Sequence, residues 1–369
     1  MFLFYVPSTI PYLSLVLGTL GLIYFFLKKR RENPYLYTFA CLAYGVVAIA
    51  AAFFLRGDGF DFIRLLSIGA FPVGFLLFAM FIALALPKLK VLASYCSFMC
   101  LLIAAIGIDA FLIEPKALQV DHVQIQSTKI KHRLRVAVVT DLQTDHVSDY
   151  EKSALEKVLA EKPDIIVFPG DYVQSNGSRG PTVWEREKVR LNQLFKDVKL
   201  SAPLGVYAVG GNCEDENWPK IFAGLPVTCF AKSDTVDRSD FVVTGLTLED
   251  SFNQKYPFKH SDKYQIVVGH GPDYAMANTD ADLLTAGHTH GGQVQLPFYG
   301  PPMTLCRAPR EWAKGCVKEI RPGTTLILSR GVGMERHFAP RMRFLCKPQI
   351  IIADIVPTAP ENSRQRSQK

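Results

Sequence analysis

The sequence predicts an α/β protein in two parts: an N-terminal region of four membrane-spanning helices, then an α/β sandwich of two sheets flanked by helices. Three observations carry this expectation. Up to Ile113 the chain is overwhelmingly apolar, broken only by short charged clusters, and from Glu114 onward it has the charge density, turns and short strands of a soluble domain. The mean hydropathy of +0.14 averages these two populations. Beyond Arg133, β-branched runs alternate with amphipathic stretches, first as βαβ units and later mostly as strands. Small groups of Asp, Asn, His and Gly follow several of those runs, where open α/β sheets place their sites.

A helix needs about 20 apolar residues to cross a bilayer. Four segments qualify, roughly 10–27, 35–55, 65–86 and 91–113. Soluble cores do not supply four such runs back to back. The breaks are Lys28-Lys29-Arg30-Arg31-Glu32, residues 56–64, and Pro87-Lys88-Leu89-Lys90. The first and third breaks are basic, while the second balances Arg56 and Arg64 against Asp58 and Asp61. The Lys/Arg bias of short loops therefore places the first and third inside, with both chain ends and the soluble domain on the extracytoplasmic side. A cleavable signal peptide is not expected, because the positive charges follow the first apolar run. The helices carry almost no ionisable residue apart from Asp109, which favours an anchor over an ion pathway.

Residues 114–132 are expected to form a linker or first strand, and 133–356 the soluble domain. Within it, strands are expected at 134–139, 165–168, 205–209, 241–246, 264–268, 283–286, 325–328 and 350–355. An amphipathic helix is expected at 148–160 and a charged helix at 184–199. The polar tail, 357–369, is expected to be disordered. Eight cysteines do not settle the compartment. Cys306 with Cys316, or Cys213 with Cys229, would suit disulfides in an oxidising space, yet no CxxC spacing is present.

Chemistry concentrates at residues 287–293, Gly-His-Thr-His-Gly-Gly-Gln, directly after the apolar run Leu283-Leu284-Thr285-Ala286. Two imidazoles one residue apart form a metal-ligand pair, and the glycines remove bulk that would block a substrate. Four groups precede them in order: Asp141, Gly170-Asp171, Gly211-Asn212 and Gly269-His270. With His288, five polar residues each cap a different strand. Any one Asp or Asn is an ordinary turn former, but the ordered set outlines a two-metal hydrolase site.

On these residues the chain resembles the calcineurin-like metallophosphoesterases, whose pattern is Asp-x-His, Gly-Asp, Gly-Asn-His-Glu/Asp, Gly-His and Gly-His-x-His. The likeness runs from about 134 to 355. Leu296-Pro297, Ser329-Arg330-Gly331 and Arg343-Phe344-Leu345-Cys346 resemble the membrane-associated bacterial branch of that family. The resemblance implies Asp141 and His290 on a first metal, Asp171 bridging, and Asn212, His270 and His288 on a second. Asp171, Asn212 and His288 are then the catalytic centre, with hydroxide held by the metals attacking phosphorus in line, and Arg330 is a candidate phosphate contact. The chain is expected to be a multi-pass protein of a bacterial inner or plasma membrane.

Two positions depart from the pattern. Gln143 stands where the family has the His of Asp-x-His. Its amide oxygen can still ligate, and an oxygen-rich site favours Mn²⁺ (or Mg²⁺) over Zn²⁺, with Fe²⁺ also possible in principle. Asp145 or His146 are alternative ligands, or the first site is weak. Cys213 replaces the His of Gly-Asn-His, which in the family is not a ligand but aids the leaving group. It reads as an inert pocket residue, a disulfide partner or a functional thiol. A pyrophosphate or diester with a good leaving group would need that His least.

Between Arg307 and Lys347 ten Lys/Arg face three Glu, a surplus of +7 equal to the net charge of the whole chain. Such a surplus suits an anionic phosphoester substrate and lipid headgroups, while no nucleic-acid motif is present. The expected function is phosphodiester, pyrophosphate or phosphomonoester hydrolysis on a lipid or lipid-linked substrate, with the bilayer as partner. A catalytically impaired binding or sensing protein is the competing reading. Similar enzymes of the superfamily cleave the pyrophosphate of UDP-diacylglucosamine, which would apply if the domain were cytoplasmic.

Overall fold

The structure, a computed structural model, describes residues 7–174, 181–336 and 338–358. The chain divides into two compact units, Met1–Ile113 with His337–Arg341, and Glu114–Arg336 with Met342–Lys369.

The first unit is built on α1 (Thr9–Lys28), α2 (Pro34–Leu55), α3 (Gly59–Ile68), α4 (Gly74–Ala85) and α5 (Lys90–Ile108). One turn of π-helix at Gly69–Val73, containing Pro72, joins α3 to α4 in a single span. Proline removes a helical donor, and the wider turn absorbs the defect. The Tyr44 hydroxyl on α2 donates to the Gly69 carbonyl at 2.8 Å. Among the described residues four spans are long and apolar enough to cross a membrane. Their outer faces present Ile10, Leu22, Phe25, Phe54, Val91 and Leu101, the mark of helices apolar all round.

The second of the three sequence breaks needs correction. Residues 59–64 are helix, not loop, with Asp58 capping α3 through its contact with the Asp61 N–H at 2.7 Å. Asp61 and Arg64 are buried and paired at 2.5 Å, and Arg64 also donates to Thr9 Oγ1 (2.9 Å) and Ser8 Oγ (3.0 Å). The helical unit therefore does hold buried charges besides Asp109. They tie the start of α1 to α3.

Among the described residues the second unit contains twelve strands in two mixed sheets. The first has the order β1 (Gln119–Ser127), β12 (Gln349–Pro357), β2 (Leu134–Val138), β3 (Ile165–Phe168), β4 (Val206–Val209), β5 (Val227–Phe230). The second has the order β10 (Cys316–Arg321), β11 (Thr324–Leu328), β9 (Leu283–Ala286), β8 (Tyr264–Val268), β7 (Phe241–Gly245), β6 (Asp234–Asp237). β2 to β5 run parallel, as do β7, β8, β9 and β11. Val136, Val138, Val167 and Val209 of one sheet meet Val243, Ile266, Val268 and Ile327 of the other in a common core. On the outer face of the first sheet, α6 (Asp149–Ala160) and α7 (Pro181–Asp197) bury Leu155, Val158, Leu191 and Phe195 against Ile166 and Phe168. Strands covered on both faces read as unbroken apolar runs, which is why the central ones are legible in sequence.

β1 is a full member of the first sheet, parallel to β12. β12 extends to Pro357, and Thr358 N donates to Ser127 O at 2.9 Å. The sheet thus claims the start of the tail expected to be disordered; 359–369 lie outside the described residues. The parallel strands β2, β3, β4, β8 and β9 deliver Asp141, Asp171, Asn212, His270 and His288 just beyond their carboxyl ends.

Candidate active site

The loops after these strands are unusually constrained. Asp141, Gln143, Asp171, His288 and His290 all have left-handed backbone, with φ of 50°, 37°, 58°, 69° and 48°. Such conformations cost about 1–3 kcal/mol at each non-glycine residue and persist where the surroundings over-determine them. Close packing requires glycine at two neighbouring positions. A Cβ on Gly211 would lie 2.1 Å from Asp171 Oδ1, and one on Gly287 would lie 2.3 Å from Asp141 Oδ2.

Asp141, Asp171 and His290 are buried, and one ligand atom of each lies within 4.8 Å of the others. His290 Nε2 is 3.6 Å from Asp141 Oδ1. Asp141 accepts from Thr140 Oγ1 at 2.8 Å and from the His288 N–H at 3.0 Å. Burial, then the charge of Asp171, hold the Asp141 carboxyl well above its ordinary value. Burial also raises Asp171, opposed by N–H donation from Cys213 at 2.9 Å. His290 is driven well below its ordinary value by burial and then by Arg343. Two carboxylates and a neutral imidazole sharing a dry space have the donor chemistry of a divalent cation site.

The neighbouring group can be read from its protons. His270 Nδ1 lies 2.8 Å from the Pro169 carbonyl, and His288 Nε2 lies 3.1 Å from the Leu305 carbonyl. A carbonyl only accepts, so each of those nitrogens carries the hydrogen. The remaining nitrogens, His270 Nε2 and His288 Nδ1, are lone pairs. They converge on Asn212 Oδ1 at 2.9 and 2.8 Å and on each other at 3.3 Å. Asp171 Oδ2 stands 3.5 Å from His270 Nε2. Burial holds both imidazoles down to about 4, reinforced for His288 by His270. Acceptors therefore face acceptors with no proton among them, an arrangement that a cation completes.

Gln143 joins a third set of contacts. Its Nε2 donates toward Gln174 Oε1 (2.9 Å), Glu335 Oε2 (3.0 Å) and Cys213 Sγ (3.3 Å). Gln174 is oriented in turn, its Nε2 donating to Glu335 Oε1 (2.5 Å) and its Oε1 accepting from Arg336 N (2.6 Å). Gln143 Oε1 is left buried with no partner, as is His290 Nδ1. An orphaned buried carbonyl oxygen is what a ligand to an ion would be.

The Cys213 thiol donates to Asp171 Oδ2 at 3.3 Å, and burial followed by the charges of Asp171 and Glu214 pushes it well above its ordinary value. All eight cysteines are free thiols, so neither suggested disulfide forms. Glu214 accepts from Gly211 N (2.6 Å), Asp171 N (3.0 Å) and Tyr172 N (2.6 Å), joining the two loops that carry Asp171 and Asn212. Burial and then Asp171 push its carboxyl up to about 8.

Several expected contributors lie elsewhere. Asp145 pairs with Arg336 at 3.7 Å, and His146 is exposed beside Arg190 and Glu187. Neither joins the cluster. The Arg330 guanidinium contacts the Lys347 carbonyl (3.0 Å), Gln119 (3.1 Å) and Asp121 (3.6 Å). Nor is the basic run one surface. Arg343 is fully buried, donating to the carbonyls of Arg330, Gly333 and Cys346, and Arg321 donates to the Ala275 carbonyl. Sequence reasoning missed Gln174, Glu335 and Leu305, which carry no local signal. Glu214 was visible in Gly211-Asn212-Cys213-Glu214.

A cavity of about 500 Å³ lined by Phe252, Asp273, Leu305, Cys306 and Arg307 adjoins this cluster. The Phe252 ring meets the His288 ring edge-on at 5.0 Å. Phe252 and Leu305 give the cavity an apolar wall, Arg307 gives it an exposed guanidinium, and the Asp273 carboxylate in its lining is occupied by the N–H groups of Arg307 and Ala308, a mixture that suits a phosphorylated organic ligand.

Residues 134–292 match the family model for calcineurin-like phosphoesterases. The chain is similar to YkuE of Bacillus subtilis, an uncharacterized metallophosphoesterase, at 29% identity over 65% of this chain and 86% of that one. A similar match, 27% identical over 66% of this chain and 94% of the relative, is an uncharacterized metallophosphoesterase of Aquifex aeolicus. The UDP-2,3-diacylglucosamine pyrophosphatase LpxG of Chlamydia trachomatis is 23% identical over 60% of this chain and 83% of its own length.

Proposed function

Because the soluble domain belongs to the calcineurin-like phosphoesterase family and the protein is thus a phosphoester hydrolase using divalent metals, we propose that it is a membrane-anchored, two-metal enzyme that cleaves a diester or pyrophosphate bond of a lipid-linked substrate. The observation that carries this reading is the meeting of His270 Nε2, His288 Nδ1 and Asn212 Oδ1 as three acceptors without a proton, beside buried Asp171.

In this reading Asn212, His270 and His288 would hold one ion and Asp141, Gln143 and His290 the other, with Asp171 near enough to contribute to either. Bound divalent ions supply Lewis-acid charge that acidifies water and neutralises phosphoryl oxygens. The chain's own residues set the stage. The Pro169 and Leu305 carbonyls fix the two imidazole tautomers, and the Cys213 N–H orients Asp171. With oxygen donors predominating around Asp141 and Gln143, Mn²⁺ is the preferred ion. The Cys213 thiol donates to Asp171 Oδ2 at 3.3 Å, and a thiol is a weaker acid than an imidazolium, so it is a poor replacement for the family's imidazole as acid for the leaving group. That favours a substrate whose leaving group departs as a stable anion, such as a phosphate of a pyrophosphate.

Support for the lipid comes from the four apolar helices and from LpxG, whose name records a diacylated nucleotide-sugar pyrophosphate. The Lys/Arg bias of the loops favours an extracytoplasmic domain; a C-terminal reporter active in the cytoplasm would reverse this and favour a UDP-diacylglucosamine-type substrate. Full-length protein with Mn²⁺ is expected to hydrolyse bis(p-nitrophenyl) phosphate, and His288→Ala to abolish it. Wild-type protein whose activity no divalent ion raises, and in which elemental analysis finds sub-stoichiometric metal, would instead favour a binding or sensing protein.

A further inference from the structure

Among the described residues of the soluble unit, eight large apolar side chains are exposed, and four of them, Leu296, Phe298, Tyr299 and Leu305, lie within ten residues of one another. They belong to one loop. Leu296 and Gly300 exchange backbone hydrogen bonds of 2.9 Å each, closing a tight tip of Pro297, Phe298 and Tyr299. Phe298 has left-handed backbone at φ 65° and a fully solvent-exposed ring. A large apolar residue in that conformation, with nothing packed on it, has no stabilising reason within the domain to be there.

The surroundings indicate what covers it. Glu114 directly follows Ile113, where the last of the apolar spans reaches the soluble unit. Its carboxylate accepts the N–H groups of Cys346 and of Leu345 (2.8 Å), and Leu345 is itself exposed. The preceding Phe344 exchanges 2.9 Å backbone bonds with Gln293 and Gln295, which open the loop. A short hydrogen-bonded path thus links the residue at which the chain leaves its apolar span to the base of the loop. The tip lies only three residues further, a reach of about 10 Å. Cations flank it: the Arg310 guanidinium sits 4.2 Å over the Tyr299 ring, and Arg307, Lys314 and Lys347 are exposed. Aromatic and aliphatic side chains rimmed by Lys and Arg are the composition that settles at an anionic bilayer surface. A groove of about 660 Å³ lined in part by Leu296, Tyr299, Pro301 and Arg310 runs along the loop.

The same loop walls the site. Its Leu305 carbonyl holds His288 in the tautomer that leaves Nδ1 free, and a Cβ on Gly292 would strike Pro301. We infer that loop 296–305 dips into the headgroup layer of the bilayer and hands the acyl-anchored end of the substrate to the cavity beside His288. This rests on the preceding reading that the helices occupy a membrane and that the substrate is lipid-linked.

The test uses full-length protein reconstituted in phosphatidylcholine–phosphatidylglycerol vesicles. In Phe298→Trp, emission additional to that of Trp184, Trp218 and Trp312 should be quenched by lipids brominated in their acyl chains. Quenching by aqueous acrylamide with none from brominated lipid would overturn the inference. So would a signal that follows protein density and not bromination, which would mean a second copy covers the loop. Phe298→Ser with Tyr299→Ser should lower the ratio of hydrolysis of a vesicle-embedded diacylglyceryl p-nitrophenyl phosphodiester to that of soluble bis(p-nitrophenyl) phosphate by about tenfold or more. An unchanged ratio argues against substrate delivery by the loop. Absence of metal-dependent hydrolysis by the wild type defeats the functional reading alone, and the quenching then decides the loop.

Discussion

The two halves of the candidate centre are secured in opposite ways. Around Asn212, His270 and His288, each imidazole is locked through its far nitrogen by a backbone carbonyl, Pro169 or Leu305. Those carbonyls follow from the fold itself. Around Asp141, Gln143 and His290, the orphaned amide oxygen is oriented by side chains, Gln174 and Glu335, and His290 Nδ1 has no partner. Backbone anchors resist change, whereas side-chain anchors can be altered one residue at a time. The comparison teaches that the centre should be unequal, with a firm ion at His270/His288 and a softer, adjustable one at Gln143/His290.

The largest effect should come from removing what the halves share. Asp171 touches both, through its place within 4.8 Å of Asp141 and His290 and its 3.5 Å approach to His270. Asp171→Asn removes a carboxylate charge that both halves approach and is expected to lower kcat on bis(p-nitrophenyl) phosphate by on the order of 10⁴, the scale of losing a central group of a unit that acts together. Elemental analysis should show both ions depleted. If one ion survives at full occupancy, Asp171 does not serve both positions.

A smaller effect should fall on one half alone. Glu335 is an acceptor-only carboxylate facing two carboxamide N–H groups, which forbids Gln143 from turning its oxygen toward it. In Glu335→Gln that prohibition is lifted, and the amide can present nitrogen where it now leaves oxygen free. Loss of such an outer partner typically costs 10–100-fold in metal affinity. Mn²⁺ titration followed by electron paramagnetic resonance should therefore show one ion weakened by about that factor and the other unmoved. Equal weakening of both would remove the asymmetry.

Much of this architecture was legible in the chain, for reasons that also explain what was not. Strands buried on both faces show as apolar runs, so β3, β8 and β9 and the polar residues beyond them stood out. The polar edge strand β6, Asp-Thr-Val-Asp, has no such run and was invisible. Hydropathy along the chain starts the third helix only after Arg64, because it cannot see that Asp61 and Arg64 neutralise each other. Arg343 looked like one cation of a surface run but is buried among carbonyls. The left-handed backbone at five candidate ligands was not legible from residue type: Asp and His adopt it more often than most residues, yet too seldom to mark these positions, and the fifth is a glutamine. Glu335 and Gln143 are 192 residues apart, and only the folded chain brings them together.

The smallest predicted change is the most direct probe of the softer half. Gln143→His places an imidazole where a carboxamide oxygen now stands, and it no longer depends on Glu335 to choose which atom faces inward. A nitrogen donor shifts preference from Mn²⁺ toward Zn²⁺, so competition between the two ions should move by about tenfold in favour of Zn²⁺ at one of the two positions, with the other unchanged. In the double variant with Glu335→Gln, the loss seen for Glu335→Gln alone should largely vanish, because the residue it orients is gone. That coupling separates positioning from general damage, since a fold weakened at Glu335 would stay weakened whichever residue occupies position 143. Independent, additive effects would mean that Glu335 does not act through Gln143, and an unmoved metal preference would mean that the Gln143 oxygen is not a donor.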